Sequence, residues 1–232
     1  MAGVLGGMGP LATVDFLAKV IRLTPAARDQ DHLPMVVLQL PQIPDRSTAI
    51  LAGSDAPFAT MLLGLQSLRY SGAEFIVIPC NSAHHWYERL ANAQPLKILN
   101  IADAVSRELQ RRGASSGTLG ILATRGTIRS GFYATQLENR GAKVSHIDEG
   151  SQQLVDEAIA AVKAGHRDQA AHCARNAANR LLSRGADTLV LACTELPVAL
   201  NDEPILSRCI DSTLELARSC IAESALEDSE PH

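Results

Sequence analysis

The chain has 232 residues, of which 46% are hydrophobic and 20% are charged, and its formal net charge is −4. This composition is that of a globular protein of one or two domains and excludes intrinsic disorder. Aromatic residues make up only 3% of the chain and basic runs are absent, so nucleic-acid binding is not expected.

The apolar runs and the five cysteines indicate where the protein works. No apolar run approaches the roughly 20 residues that span a bilayer, and glycines interrupt the N-terminal stretch, which lacks the basic segment of a signal peptide. Five is an odd number of cysteines and no CxxC pair is present, which argues against a disulfide framework and a zinc site. We therefore expect a cytoplasmic protein with free thiols, without metal and without membrane association.

Short apolar runs alternate with amphipathic stretches along the chain. The runs predict strands at Gly3–Leu5, Met35–Leu40, Phe75–Ile78, Lys97–Ile101, Leu119–Leu122, Lys143–His146 and Thr188–Leu191. The amphipathic stretches predict helices at Leu11–Leu23, Phe58–Tyr70, Ala102–Arg112, Leu154–Lys163, Asp168–Leu182 and Ser212–Ala225. This alternation is typical of βαβ units, and continuous apolar runs indicate parallel strands that are buried on both faces. Ser151 and Gly165 are predicted to cap the helix between them.

A glycine-rich segment, Gly6-Gly7-Met8-Gly9-Pro10, follows the first predicted strand. Glycines at such a position let backbone N–H groups approach an anion at the start of a helix. The segment lacks the Gly-Lys-Ser/Thr ending of a P-loop, and Ala12 stands where the dinucleotide fingerprint needs its third glycine. Contact with an anion such as a carboxylate and a merely tight strand-to-helix turn are both open alternatives.

One sequence pattern occurs twice and ends in a cysteine each time. GAEFIVIPCN ends with Cys80 and Asn81, and GADTLVLACT ends with Cys193 and Thr194, so the cysteines occupy matched positions 113 residues apart. GVLGGMGP at the start of the chain matches GILATRGT, which begins at Gly120, at nearly the same offset. The repeat predicts two similar lobes, one formed by residues 1–100 together with 210–232, to which the C-terminal helix returns, and one formed by residues 101–209.

The matched cysteines point to a chemistry. A thiol directly after a buried parallel strand lies where such sheets bind ligands, although a single free cysteine is more often a small core residue. Two acid/base groups on opposite faces of a carbon acid can invert it, because one removes a proton and the other returns it. N–H and hydroxyl donors must then stabilise the carbanion. Cys173, Cys209 and Cys220 lack a matched partner and are predicted to be packing or surface residues.

Five segments, in this order, resemble the pyridoxal-independent aspartate/glutamate racemases, and among them the aspartate racemases. They are GGMGP at 6–10, PQIPDR at 41–46, PCNSAH at 79–84, LATRGT at 122–127 and CTE at 193–195. The resemblance implies an α/β fold of two flavodoxin-like lobes with parallel sheets and an active site in the cleft between them. It also implies Cys80 and Cys193 as the acid/base pair, no cofactor, and a homodimer.

The resemblance further implies the residues that bind a small acidic amino acid. Contacts to its α-carboxylate and amino group are expected from Met8, Asn81, Ser82, Thr124, Thr127 and Thr194. Arg46 and Lys163 would hold the side-chain carboxylate, and a guanidinium offers bidentate recognition of that group. The alternatives are a surface charge for Arg46 and a solvated helix face for Lys163.

Two further residues lie close to the thiols in sequence. His84 and Glu195 are candidates for an auxiliary role, because a nearby cation favours a thiolate and a nearby carboxylate opposes it. A backbone hydrogen bond is the alternative role for His84, and His85 is predicted to be a surface residue.

Three positions depart from the pattern of the racemases. Leu40 stands where asparagine is common, Ser82 replaces threonine, and Arg125 adds a cation of unknown direction. These departures leave the choice between aspartate and glutamate open, since one methylene changes binding by only about 1–3 kcal/mol. The hypothesis is an aspartate racemase, and the alternatives are a maleate-type cis–trans isomerase and a non-catalytic carboxylate-binding protein.

Overall fold

The first four strands of the chain form one parallel sheet. A computed structural model of the protein describes residues 1–114, 117–200 and 204–227. The strands are β1 (Ala2–Gly6), β2 (Met35–Gln39), β3 (Phe75–Val77) and β4 (Lys97–Ile98). They are hydrogen-bonded in the order β2-β1-β3-β4. The helices that follow them are α1 (Pro10–Leu23), α2 (Arg46–Leu51), α3 (Ala56–Tyr70), α4 (Tyr87–Ala93) and α5 (Ile101–Arg111).

The second half of the chain repeats this arrangement. Its strands are β5 (Thr118–Ala123), β6 (Lys143–Ser145), β7 (Thr188–Ala192) and β8 (Cys209–Asp211). Their order, β6-β5-β7-β8, is that of the first sheet and of flavodoxin-like sheets. The helices are α6 (Arg125–Ser130), α7 (Phe132–Glu138), α8 (Glu149–Ala164), α9 (Arg167–Ser183), α10 (Glu195–Ala199) and α11 (Ser212–Glu227). The predicted fold of two parallel α/β sheets is confirmed.

Two element boundaries differ from the prediction because of helix caps. The predicted strand at Lys97–Ile101 ends at Ile98, since the Asn100 side chain accepts hydrogen bonds from the first N–H groups of α5. The predicted cap at Ser151 is wrong: Asp148 accepts a hydrogen bond from the backbone N–H of Ser151, and α8 therefore begins at Glu149. Gly165, with φ 80°, ends α8 as predicted.

The two sheets are joined by helices that belong to neither sheet alone. The C-terminal helix α11 packs against α1 and against α5. One cluster of buried apolar residues extends from Phe16 and Val77 on the first side to Ile121 and Val190 on the second. β8 pairs with β7, so residues 210 and 211, which the sequence predicts to be part of the first lobe, belong to the second sheet. The division into lobes otherwise stays a prediction.

No helix within the described ranges is long and apolar enough to cross a membrane. Within the same ranges, no group of three or more histidine, cysteine, aspartate or glutamate side chains is placed to hold a metal ion.

Candidate active site

Cys80 and Cys193 come after corresponding strands of the two sheets, β3 and β7, and each is only 5% exposed. Both line the same small cavity, which has a volume of about 30 Å³. Predicted site residues that also line this cavity are Met8, Arg46, Asn81, Ser82, Thr124, Lys163, Thr194 and Glu195. The fold therefore brings the two matched thiols to one place, each from its own sheet.

A wider cleft of about 460 Å³ adjoins the cavity. Asp45, Arg46, Lys163 and Glu195 line both spaces, so charged side chains of both signs surround the connection between them. A cavity of about 30 Å³ holds only one or two water molecules and is too small for an amino acid. Binding of an amino acid between the thiols thus requires the cleft to widen.

The Cys193 thiol faces a carboxylate. Its Sγ donates a hydrogen bond to Oε2 of Glu195 at 3.1 Å, and Oγ1 of Thr194 donates to the same oxygen at 3.2 Å. Burial and the negative charge of Glu195 raise the pKa of Cys193 well above its usual value, and the backbone N–H of Glu195 opposes the rise. Cys193 is therefore a protonated thiol in this arrangement.

The Cys80 thiol faces a cation instead. Burial raises the pKa of Cys80 above its usual value, and the Arg46 guanidinium and the backbone N–H of Ala83 reduce that rise without reversing it. Nη1 of Arg46 donates to the carbonyls of Ile43 and Pro44 at 3.0 and 3.1 Å, which holds the guanidinium in place. Its buried Nε has no acceptor among the described residues.

Three hydroxyl groups meet across the cleft. Oγ of Ser82 lies 3.0 Å from Oγ1 of Thr124 and 2.8 Å from Oγ1 of Thr127, and the two threonine oxygens are 3.0 Å apart. Thr127 lies behind the cavity lining, and Thr124 also caps α6. Ser82 retains the hydroxyl function that the racemase pattern requires, because it bonds to both threonines.

A second contact across the cleft was not found in the sequence. The backbone N–H of Gly126 donates to Oγ of Ser47 at 2.8 Å. A Cβ on Gly126 would lie 2.5 Å from Cα of Ser47, so only glycine permits this approach of α6 to α2. Ser47 directly follows the PQIPDR segment, which ends with Arg46. That segment is the sequence signal for this part of the cleft.

His84 is buried and bonds to backbone on both sides. Nε2 accepts a hydrogen bond from the N–H of Ile101 at 3.2 Å, so Nδ1 carries the proton and donates to the carbonyl of Cys80 at 2.9 Å. Burial lowers the pKa of His84, which is thus a neutral ring. These contacts favour the backbone role over the tuning of a thiol by an imidazolium, and His85 is exposed as predicted.

The Asn81 side chain lines the cavity and also belongs to a buried hydrogen-bond network. It bonds to Tyr133 and to Ser212, two residues that sequence analysis did not single out. Neither residue lies in a segment that resembles the racemases, and Ser212 is 131 positions away from Asn81. Their part in the site follows from tertiary packing alone.

Leu40 and Arg125, which depart from the racemase pattern, lie outside the cavity. Leu40 packs near Gly64 in the core of the first half. Arg125 forms ion pairs of 2.6 Å with Glu149 and with Asp156, so its cation is directed toward α8.

Gly7 explains the glycine-rich segment. It has φ 92°, and a Cβ there would lie 2.5 Å from backbone atoms of Leu40. This close approach supports the tight-turn alternative, while Gly7 and Gly9 also line the wider cleft. The three unmatched cysteines, Cys173, Cys209 and Cys220, are all buried.

The chain is similar to proteins of a known family. The sequence profile of the Asp/Glu/Hydantoin racemase family matches residues 5–220. The chain belongs to this family. The broad specificity amino-acid racemase RacX of Bacillus subtilis is 31% identical over 228 residues, which are 96% of this chain and 97% of the relative. The racemase resemblance predicted from the five segments is confirmed.

Solved structures agree with this assignment. Picrophilus torridus aspartate racemase superposes with a TM-score of 0.85 at 31% identity, over 97% of this chain and 93% of that one. Glutamate racemase isoform RacE1 from Bacillus anthracis superposes with a TM-score of 0.68 over 99% of this chain and 82% of that one. At 17% identity, this second structure supports the fold alone. The chain is thus a member of the Asp/Glu/Hydantoin racemase family by sequence, and the solved structures agree with it in fold.

Proposed function

We propose that this racemase interconverts L- and D-aspartate by proton transfer between two thiols, without a cofactor. The observation that carries the proposal is that Cys80 and Cys193, from different sheets, line one small cavity. A substrate held between them would present one face of its α-carbon to each sulfur. This is the arrangement that inversion of a carbon acid needs.

The charges around the thiols support a division of labour. We assign the role of base to Cys80, because burial raises its pKa but the cation of Arg46 opposes that rise, and its thiolate removes the α-proton of one enantiomer. Cys193, which is a thiol hydrogen-bonded to Glu195, gives its proton to the opposite face of the carbanion. The C–H bond electrons pass to the carbanion and back into the new C–H bond, and the negative charge moves from Cys80 to Cys193. The reverse reaction starts from that second charge state.

The carbanion needs donors at the substrate α-carboxylate, because no pyridoxal electron sink takes part. Ser82, Thr124 and Thr194 supply hydroxyl groups on the cavity wall. Their mutual hydrogen bonds can be exchanged for bonds to a carboxylate when the cleft opens. Met8 and Asn81 complete the wall, and Thr127 orients the other two hydroxyls through its contacts.

Two cations favour an acidic side chain. Arg46 and Lys163 line both the cavity and the wider cleft, and the unpartnered Nε of Arg46 offers one donor for the side-chain carboxylate. Asp45 holds the start of α2, and hence Arg46, by accepting a hydrogen bond from the N–H of Thr48 at 2.7 Å. The similarity to an aspartate racemase at 31% identity supports aspartate before glutamate.

Racemisation is favoured over the two alternatives. A cis–trans isomerase of the maleate type would also use two cysteines, but the relatives with 31% identity over nearly the whole chain are named as racemases. A non-catalytic carboxylate-binding protein gives no reason for two buried thiols that face one cavity. Either alternative predicts that no D-aspartate forms.

The test is incubation of the purified protein with L-aspartate in deuterated water. We expect D-aspartate that carries α-deuterium, and loss of racemisation by at least about a thousandfold in Cys80→Ser and in Cys193→Ser. Cys173→Ser is the matched control, because Cys173 is also 5% exposed and its thiol also faces a carboxylate, that of Glu157. Absence of D-aspartate from the unmodified protein, or full racemisation by both serine variants, would contradict the proposal.

We further propose that the protein is a cytoplasmic homodimer. Val14 and Ile21 on the outer face of α1 are 55% and 52% exposed, and Val37 on the edge strand β2 is 41% exposed. Strands of parallel sheets are normally covered on both faces, and a second copy would cover these side chains. Sedimentation of the protein should give a dimer, and Val14→Glu with Ile21→Glu a monomer. A monomeric unmodified protein would contradict the proposal.

A further inference from the structure

A chain of buried hydrogen bonds connects the two cysteine segments behind the cavity. The hydroxyl of Tyr133 donates to Oδ1 of Asn81 at 2.5 Å, and Nδ2 of Asn81 donates to Oγ of Ser212 at 3.1 Å. Oγ of Ser212 donates in turn to the carbonyl of Leu191 at 2.7 Å. Asn81, Tyr133 and Ser212 are at most 3% exposed. The chain is therefore closed to solvent along its length.

The direction of every bond in this chain is fixed by chemistry. A carbonyl only accepts, so the single proton of Ser212 goes to Leu191 and its oxygen must accept from Asn81. This requirement places the amide nitrogen of Asn81 toward Ser212 and its oxygen toward Tyr133. Tyr133 must then donate, and burial, which raises its pKa, keeps the phenol protonated. Only one orientation of the Asn81 amide satisfies all partners.

The chain connects the parts of the molecule that have to stay in register. Asn81 directly follows Cys80, and Leu191 lies in β7 two residues before Cys193. Ser212 opens α11, where the polypeptide leaves β8 of the second sheet, and Tyr133 lies on α7. The contacts thus run from one cysteine segment to the other through both halves.

The contacts on the two sides of the cavity differ in what they must do. Ser47, which lines the cavity of about 30 Å³ and accepts from Gly126, lies where the space has to widen for a substrate. The chain through Asn81 is fully buried and can stay intact during that motion. Two sulfur atoms that act on opposite faces of one carbon need such a fixed reference, because small displacements of reacting groups cost large factors in rate.

We infer that Tyr133 and Ser212 are positioning residues for the racemisation: they lock the Asn81 amide and thereby hold the Cys80 segment in register with the Cys193 strand. The inference rests on the proposed two-thiol function. It also gives Asn81 a structural role beside the substrate contact expected from its sequence position, since one N–H and one lone pair of the amide are already engaged.

The test compares two Tyr→Phe variants. Tyr133→Phe removes the hydroxyl that reaches Asn81 and keeps the ring. Tyr87→Phe is the control, because the Tyr87 hydroxyl donates to the carbonyl of Ile98 at 3.2 Å within the first half only. Both variants and the unmodified enzyme are incubated with L-aspartate in deuterated water. The two quantities measured are deuterium in the recovered L-aspartate and the amount of D-aspartate formed.

We expect Tyr133→Phe to racemise about tenfold more slowly and to raise the ratio of exchange to inversion several-fold. A carbanion that lacks a correctly placed second thiol is protonated again by the first one, and deuterium enters unreacted L-aspartate once that thiol has exchanged its proton for a deuteron from the solvent. Tyr87→Phe should keep both the rate and the ratio of the unmodified enzyme. A lower amount of folded enzyme would reduce exchange and inversion together and leave the ratio constant.

Ser212→Ala is the second variant and decides the question if Tyr133→Phe does not fold. Its control is Ser106→Ala, because buried Ser106 donates only to the carbonyl of Ala102 within α5. An unchanged ratio of exchange to inversion in the folded Tyr133 and Ser212 variants would overturn the inference. Absence of D-aspartate from the unmodified enzyme would instead refute the proposed function, so the two failures are distinct.

Discussion

The two halves of the active site share a backbone plan but differ in charge. Cys80 and Cys193 follow equivalent strands of sheets with the same order and are equally buried. Cys80 faces the guanidinium of Arg46, whereas Cys193 donates to the carboxylate of Glu195. The repeat thus supplies two similar thiols, and the neighbours that are not repeated place a cation beside one and a carboxylate beside the other.

Substitution of Arg46 should have the largest effect on this difference in charge between the two thiols. Arg46→Gln removes the cation that favours the Cys80 thiolate and one of the two that face an acidic side chain. We expect the activation free energy to rise by about 2–4 kcal/mol, which lowers kcat/KM for aspartate roughly thirtyfold to a thousandfold. Steady-state kinetics checks this, with Arg125→Gln as control because its guanidinium pairs with Glu149 and Asp156. Equal effects of both substitutions would show that Arg46 acts only through general electrostatics.

Gly126 tests whether the two halves must meet closely. In Gly126→Ala the new Cβ collides with Cα of Ser47, so α2 and α6 have to separate. We expect kcat/KM to fall about tenfold, because the groups of the two halves are displaced. Ser47→Ala removes the hydrogen bond without a collision and should cost only about threefold. If both variants lose the same factor, the hydrogen bond and not the close packing is what matters.

Lys163 tests the selection of the side chain separately from the thiols. It lies on the last turn of α8, is exposed, and lines the wider cleft. Lys163→Met should raise KM for aspartate about fivefold and leave kcat nearly unchanged, since only binding of the distant carboxylate is weakened. Lys97→Met, at a lysine that is 61% exposed and pairs with Glu223, is the control. A large loss of kcat would place Lys163 in the proton transfer instead.

Glu195 tests the other half of the comparison through the pKa of a thiol. Glu195→Gln removes the negative charge that raises the pKa of Cys193 and keeps an oxygen to accept its hydrogen bond. The Cys193 pKa should fall, and that of Cys80 should fall by less, because Glu195 is a larger cause of the raised pKa at Cys193. Alkylation by iodoacetamide as a function of pH, followed by peptide mass spectrometry, measures both thiols in one sample. An equal change in the pKa of both cysteines would show that Glu195 does not distinguish Cys193 from Cys80.

The sequence was informative where the determining signals are local. Apolar runs and their repetition predicted both sheets and placed Cys80 and Cys193 at equivalent strand ends. This was possible because a buried strand is a run of consecutive apolar residues. Caps moved boundaries: Asn100 and Asp148 start helices earlier than hydrophobic periodicity alone indicates. The strand β8 was not predicted, because its three residues are too few to show the apolar pattern of a strand.

Neither the charge difference between the two thiols nor the buried chain of hydrogen bonds can be predicted from residues that are close in sequence. Glu195 is two positions from its thiol in sequence, but Arg46 reaches Cys80 only through the fold. Tyr133 is 52 positions from Asn81, and no periodicity or motif relates two residues across such a separation. Tertiary packing sets these contacts, and one sequence without a structure contains no direct signal for them.

The measurement that tests the central claim most directly is α-proton exchange by the two single-thiol enzymes. Cys80→Ser and Cys193→Ser are each incubated in deuterated water with L-aspartate and, separately, with D-aspartate. If one thiol serves each face, one variant exchanges the α-proton of only one enantiomer and the other variant that of the opposite enantiomer, without net racemisation. Exchange of the same enantiomer by both variants would contradict the assignment of one cysteine to each face.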